Sequence, residues 1–360
     1  MNKKHIALLS AAGMLVGGSA LLLTYFGNPA NMGYCIACFI RDCAGSVGLH
    51  NASAVQYMRP EIIGLVVGAC AMALIGKEFR PSGGSSPITR FLLGVFIMIG
   101  ALMFLGCPFR MILRLAGGDF NAIFGLIGFL LGIGAGIILL NKGFSLNRSY
   151  RQNTSEGLIP SILSLMSLAL LIVVPGTLYF SQSGPGSMHA PIIISLIAGL
   201  IVGAISQKSR LCTMGAVRDI FLFKDFTLMI GPFVIFLVVL IGNLIMGNFH
   251  PGFVISPDVP QPVAHTDALW NALGMVLVGF ASVLAGGCPF RQLVLAGSGN
   301  SDSAVCVLGM LLGAGLCHNL GLASSGAGPT MAGQLAVIAG IATCVVIGIA
   351  NLGTAKNKHI

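Results

Sequence analysis

Charge is scarce in this sequence. Asp, Glu, Lys and Arg make up 8% of the 360 residues, where a soluble domain carries roughly a quarter. An ordinary water-soluble globule is thereby excluded. No glycine-rich phosphate-binding loop occurs, so ATP-driven pumping would require another subunit. No His or carboxylate cluster of ligand type stands near the cysteines, which argues against a metal centre, and no cofactor is expected. Carboxylates are nearly absent from the apolar runs, so a carboxylate proton relay is not expected either. The +9 net charge forms neither a basic amphipathic face nor a series of basic residues interleaved with aromatics, and no nucleic-acid partner is expected.

What remains is apolar. The chain is 56% hydrophobic with 50 glycines and a mean hydropathy of +0.94, the signature of an integral membrane protein whose helices pack closely. Candidate spanning helices fall at 6–26, 59–76, 88–106, 121–141, 158–180, 189–207, 226–247, 268–287, 303–320 and 329–352. Lys3 and Lys4 before an apolar stretch resemble a signal peptide, but no small-residue cleavage site precedes Asn31, and the stretch reads as the first membrane helix.

Counted from a cytoplasmic N-terminus, the inner loops hold Lys77, Arg80, Arg90, Lys142, Arg148, Arg151, Lys208, Arg210, Arg218, Lys224 and Arg291, and the tail adds Lys356 and Lys358. The outer loops 181–188, 248–267 and 321–328 hold no Lys or Arg. Loop charge therefore predicts about ten helices with both ends in the cytoplasm.

Two outer segments break that pattern, one carrying Arg41 and Arg59, the other Arg110 and Arg114. Both begin with cysteine, "YCIACFIRDCAG" at 34–45 and "CPFRMILRLAGG" at 107–118, and both have counterparts, "LCTMGAVRD" at 211–219 and "CPFRQLVLAGSG" at 288–299. Cys35 aligns with Cys212 at an offset of 177, carrying Arg41-Asp42 onto Arg218-Asp219, and Cys107 aligns with Cys288 at 181. This is an internal repeat. We read a first repeat at 1–150, a connecting helix within 151–185, a second repeat at 186–325, and a C-terminal helix and tail at 326–360. An odd connecting helix inverts the second repeat relative to the first, as in many transporters. The fold expected is all-α and polytopic, with an inverted repeat and four short re-entrant segments converging on the middle.

Proline at the first helical position predicts that Cys107 and Cys288 are N-caps of short helices, following breaks at Gly106 and Gly287. Such helix ends favour anions. This reading places the Cys288 thiol opposite its mate Cys107. Arg110 and Arg291 fall in the first turns, where they either pair with a substrate or anchor backbone carbonyls. Arg41-Asp42 and Arg218-Asp219 read as ion pairs holding their segments. Cys70, Cys306 and Cys344 lie in apolar runs and read as packing residues, as does His318 beside Cys317. Cys35 and Cys38 form a Cys-x-x-Cys that the second repeat lacks, since Gly215 replaces Cys38.

The duplicated Gly-Cys-Pro-Phe-Arg at 106–110 and 287–291, the stretch at 212–219 and the half-chain repeat resemble the YeeE/YedE sulfur-transport family. "GYCIACFIRDCAGSVGLH" at 33–50 is similar to its selenium-associated, YedE-type branch. The resemblance implies an hourglass-shaped inner-membrane protein that takes up thiosulfate or a related anion. Cys35, Cys107, Cys212 and Cys288 would then pass the ion along by thiol hydrogen bonds. A cytoplasmic sulfurtransferase-like (TusA-type) protein is the implied partner, beside the lipid bilayer. Cys38, Cys43 and the extra C-terminal helix depart from the family pattern. Weak thiol donors bind a soft anion at successive sites and still release it, which conduction requires. The chain is read as a transporter and not as an enzyme. A membrane thiol–disulfide electron carrier using Cys35, Cys38 or Cys43 is the alternative.

Overall fold

The computed structural model describes residues 3–253 and 263–353. In chain order the first half comprises α1 (Lys3–Tyr25), α2 (Ile36–Ser46), α3 (Pro60–Ile75), α4 (Pro87–Phe104), α5 (Pro108–Ala116) and α6 (Asn121–Asn141), followed by α7 (Thr154–Val173). The second comprises α8 (Ile192–Ser209), α9 (Thr213–Phe223), α10 (Ile230–Met246), α11 (Ala268–Ala285), α12 (Pro289–Gly297) and α13 (Ser301–Asn319), followed by α14 (Met331–Ala350). Two-residue strands β1 (Ser82–Gly83) and β2 (Tyr150–Arg151) pair antiparallel between loops. The protein is all-α and polytopic. Among the described residues, eight helical stretches are long and apolar enough to cross a membrane, while α3 and α10 are shorter apolar helices.

Each expected span coincides with an apolar helix, α3 and α10 being the shorter two, and the four cysteine segments form the shortest ones. The largest boundary correction concerns α7, expected at 158–180. It starts at Thr154 and stops at Val173. Val174 precedes Pro175, and the proline ring disfavours helical geometry in the residue before it.

Contacts between loops sort them onto two faces. On one, Ser181 contacts Gln56, Asn319 reaches Leu49, Asp119 bridges to Gly252, and His265 binds the Met103 carbonyl. On the other, β1 pairs with β2, Ser82 bridges to Asn300, and Phe144 bridges to Leu352. The first face carries Arg41, Arg59, Arg110 and Arg114, and all four are at most 2% exposed. Their burial explains why they escape the loop-charge pattern.

Helix packing follows one scheme twice. Helix α3 packs on α8 and α10 on α1; α6 packs on α11 and α13 on α4; α12 touches α3 and α5 touches α10. Advancing every label by seven leaves these pairings unchanged. Glycine makes the closest crossings. A methyl group at Gly68 would collide with the Leu200 backbone, and one at Gly132 with the Val276 carbonyl, so no larger residue fits these seams.

Candidate functional site: two capped thiol pairs

Cys35, Cys107, Cys212 and Cys288 are the N-cap residues of α2, α5, α9 and α12. Each enters its helix in extended geometry, and Pro108 and Pro289 occupy the position where the missing N–H has no intrahelical partner. The Cys35 sulfur accepts from the Cys38 N–H at 3.4 Å, and the Cys212 sulfur from the Gly215 N–H at 3.2 Å. This shared geometry matches the registration read from sequence. The breaks lie one residue earlier than expected. The left-handed residues are Leu105 (φ 59°) and Gly286 (φ 84°), rather than Gly106 and Gly287. Leucine is costly in that conformation, by roughly 1–2 kcal/mol, so surrounding bonds must hold it.

The four thiols form two pairs. Cys212 and Cys288 approach to 3.7 Å between sulfurs. Cys107 lies beside Cys35, whose sulfur is 2.9 Å from that of Cys38. Cys288 therefore faces Cys212, and the expected opposition to Cys107 gives way. The symmetry mates that do meet are Phe109 and Phe290, stacked at 5.5 Å and 16°. Tyr34 packs edge-on against Phe109 at 6.4 Å. Cys35, Cys107 and Cys288 are at most 1% exposed and Cys212 is 7% exposed, so the centre is occluded in this conformation.

The arginines act mainly as anchors. Arg110 binds the carbonyls of Asn31 (3.2 Å) and Leu105, holding the left-handed break, and lies 3.7 Å from the Cys38 sulfur. Arg291 is half-buried and reaches the Ser206 carbonyl at 3.4 Å. The breaks are stapled by other donors too, Arg114 to the Phe104 carbonyl (2.9 Å) and Gln292 to the Ala285 carbonyl (3.1 Å). Asp42 takes Arg41 and Arg59, each at 2.7 Å, and Arg59 ties in the carbonyls of Pro185 and Met188. Arg218 and Asp219 pair at 2.8 Å in a more exposed setting.

Cys70, Cys306 and Cys344 are buried in apolar surroundings. Cys43 lines a cleft of about 260 Å³ between α3, α7, α12 and α13, away from the paired thiols. His318 lies against His50 with ring centroids 4.6 Å apart and the rings tilted by 35°. Sequence reasoning assigned no role to Thr213, which stands beside the Cys288 thiol, or to the phenylalanine pair. The signal for the phenylalanines was present, because Phe109 and Phe290 share the duplicated motif. For Thr213 only its place next to Cys212 pointed there.

The assembly defines a multi-pass α-helical membrane protein with soft donors and helix N-termini gathered in an occluded centre. Residues 208–351 match the model of the family described as "Sulphur transport", the YeeE/YedE family. The chain thus carries a sulphur-transport family domain running from the end of α8 through α14, with Cys212, Cys288 and Arg291 inside it. No curated protein matches the chain.

Proposed function

We propose that this protein takes up a small sulfur- or selenium-containing anion, such as thiosulfate or a selenium analogue, across the cell inner membrane. The observation that carries the reading is the pair of thiol couples, each formed by two N-capping cysteines, with one couple inside the sulphur-transport domain. Helix N-termini attract the anion, and thiols supply weak, releasable hydrogen bonds to its soft end. The two halves act as inverted repeats, with the connector at 151–185 between them and the terminal helix at 326–360 outside the repeat. The face bearing Lys77, Arg80, Lys142 and Arg148 is cytoplasmic. A TusA-type sulfurtransferase on that face would receive the product. Arg110 and Arg291 contribute positive field near the thiols while anchoring backbone.

Uptake of thiosulfate, sulfite, selenite and selenosulfate into proteoliposomes tests this. Cys288→Ala is expected to abolish uptake at normal expression. Cys288→Ser, which keeps a harder donor, retains little, and less for selenium-rich ions than for oxygen-rich ones. Full uptake by the Ala variant would reduce the motif to a structural helix start.

The 2.9 Å approach of Cys35 and Cys38 favours one second reading, a thiol–disulfide electron carrier. Trapping a mixed disulfide with a protein partner would support it; Cys43 lies apart and is not expected to take part.

A further inference from the structure

Asp42, Glu61, Asp119 and Asp302 are buried carboxylates among the described residues. Three have a guanidinium within 4 Å: Asp42 has Arg41 and Arg59, Asp119 has Arg114, and Asp302 has Arg90 at 3.6 Å. Glu61 has none. It is 0% exposed in the first turn of α3. Its Oε1 accepts from Asn28 Nδ2 at 2.8 Å and from Ser195 Oγ at 3.1 Å, while its Oε2 is buried with no hydrogen-bond partner. A buried carboxylate oxygen without a donor or cation is an incomplete site. Glu61 is one of the few carboxylates within the apolar runs, from which no relay was expected.

The surroundings connect this oxygen to the thiol centre. Asn28 also accepts from the Ala190 N–H at 2.8 Å, so one amide joins Glu61 to the segments entering α8 and α2. The latter segment continues through Tyr34, which packs on Phe109, to Cys35. The ionisable groups near enough to feel the Glu61 charge are Tyr34, Cys43, Tyr57 and Arg59. Arg59 spends its donors on Asp42, Pro185 and Met188. The Tyr57 hydroxyl is itself buried without a hydrogen-bond partner.

Resting on the uptake reading above, we infer that Glu61 is the proton-binding site that couples anion entry to an inward proton gradient. An anion accumulating in a cell of negative interior potential moves against the field, and a proton carried in with it offsets part of that charge and adds the proton gradient as a driving force. A proton taken onto Oε2 turns an acceptor into a donor and neutralises the site. The Asn28 and Ser195 clamps then hold a neutral carboxyl less strongly, freeing the segment that carries Tyr34 and Cys35. Protonation from the face of loops 47–59 and 174–191 and release to the other face complete a cycle that carries the anion and one proton inward, and the only bond made and broken is the one to that proton.

Two arms test it. In proteoliposomes the wild type is expected to take up thiosulfate faster under an inward proton gradient, with accumulation rising up to about tenfold per pH unit for one coupled proton. Glu61→Gln, which keeps the shape and the Oε1 acceptor, should lose that dependence and cease to accumulate the ion. In the second arm the wild-type protein in detergent is treated with dicyclohexylcarbodiimide, which labels protonated carboxyls in apolar sites, and the adduct is mapped by mass spectrometry. Labelling at Glu61 supports the site even if no tested anion is carried, a result that would count against the uptake reading alone. Unlabelled Glu61, gradient stimulation surviving in E61Q, or stimulation by sodium in place of protons would overturn it.

Discussion

Asp42 neutralises two guanidinium groups in a place that water does not reach. Removing it leaves Arg41 and Arg59 buried without a counter-charge. Asp42→Asn is expected to cost about 3–5 kcal/mol, seen as a markedly lower unfolding temperature in detergent. The same Arg-Asp dipeptide in the other half behaves differently. Arg218 is 34% exposed and Asp219 17%, so Asp219→Asn should cost no more than about 1 kcal/mol. The neighbouring pairs were legible in the sequence, but Arg59 was not, since its approach to Asp42 depends on how the 47–59 loop returns. Two loop histidines add a pH response. Burial pulls the His50 and His265 imidazoles below the ordinary histidine range, against the raising effect of their backbone hydrogen bonds. The unfolded rings take up protons first as pH falls, so stability is present above their ordinary range near pH 6.5 and declines below it. Thermal unfolding should move to lower temperature between pH 7 and pH 5, and less so in His265→Asn.

At the scale of helices, the apolar runs and the Cys-Pro starts could be read directly because they are local. Proline dictates where α5 and α12 begin, and the cysteine before it becomes the cap. The break at Leu105 could not be read, because leucine rarely adopts a left-handed conformation. It does so here while Arg110 and Arg114 hold the carbonyls of Leu105 and Phe104. Glycine shows the same division. Gly132 and Gly134 are near neighbours on α6 and indistinguishable by composition. A methyl group at Gly132 meets the Val276 carbonyl, whereas at Gly134 it meets nothing within 4 Å. Gly132→Ala is therefore expected to loosen the α6–α11 seam by about 1–3 kcal/mol, the usual range for overpacking. Gly134→Ala should be neutral or stabilising by up to about 1 kcal/mol through helix propensity. Unfolding of the two variants in the same detergent decides between them.

For the molecule as a whole, the loop contacts predict which positions share a side. Ser183 and Ser149 are exposed and lie on opposite ends of α7. Single cysteines there should react with an impermeant maleimide from opposite sides of oriented vesicles, Ser183→Cys from outside and Ser149→Cys from the cytoplasm. Labelling of both from one side would remove the crossing of α7 and with it the inversion of the halves. The sequence by itself determined the membrane class, the ten apolar helices, the four short ones and the capping of α5 and α12 by Cys107 and Cys288. These follow from hydropathy, proline geometry and an internal repeat, all of which act over short stretches of chain. Only the tertiary structure decided which thiols pair, that Phe109 meets Phe290, and that Glu61 alone among the buried carboxylates described lacks a basic partner. Those facts depend on segments far apart in sequence being brought together, and hydropathy does not encode which polar atom finds a partner once water is excluded.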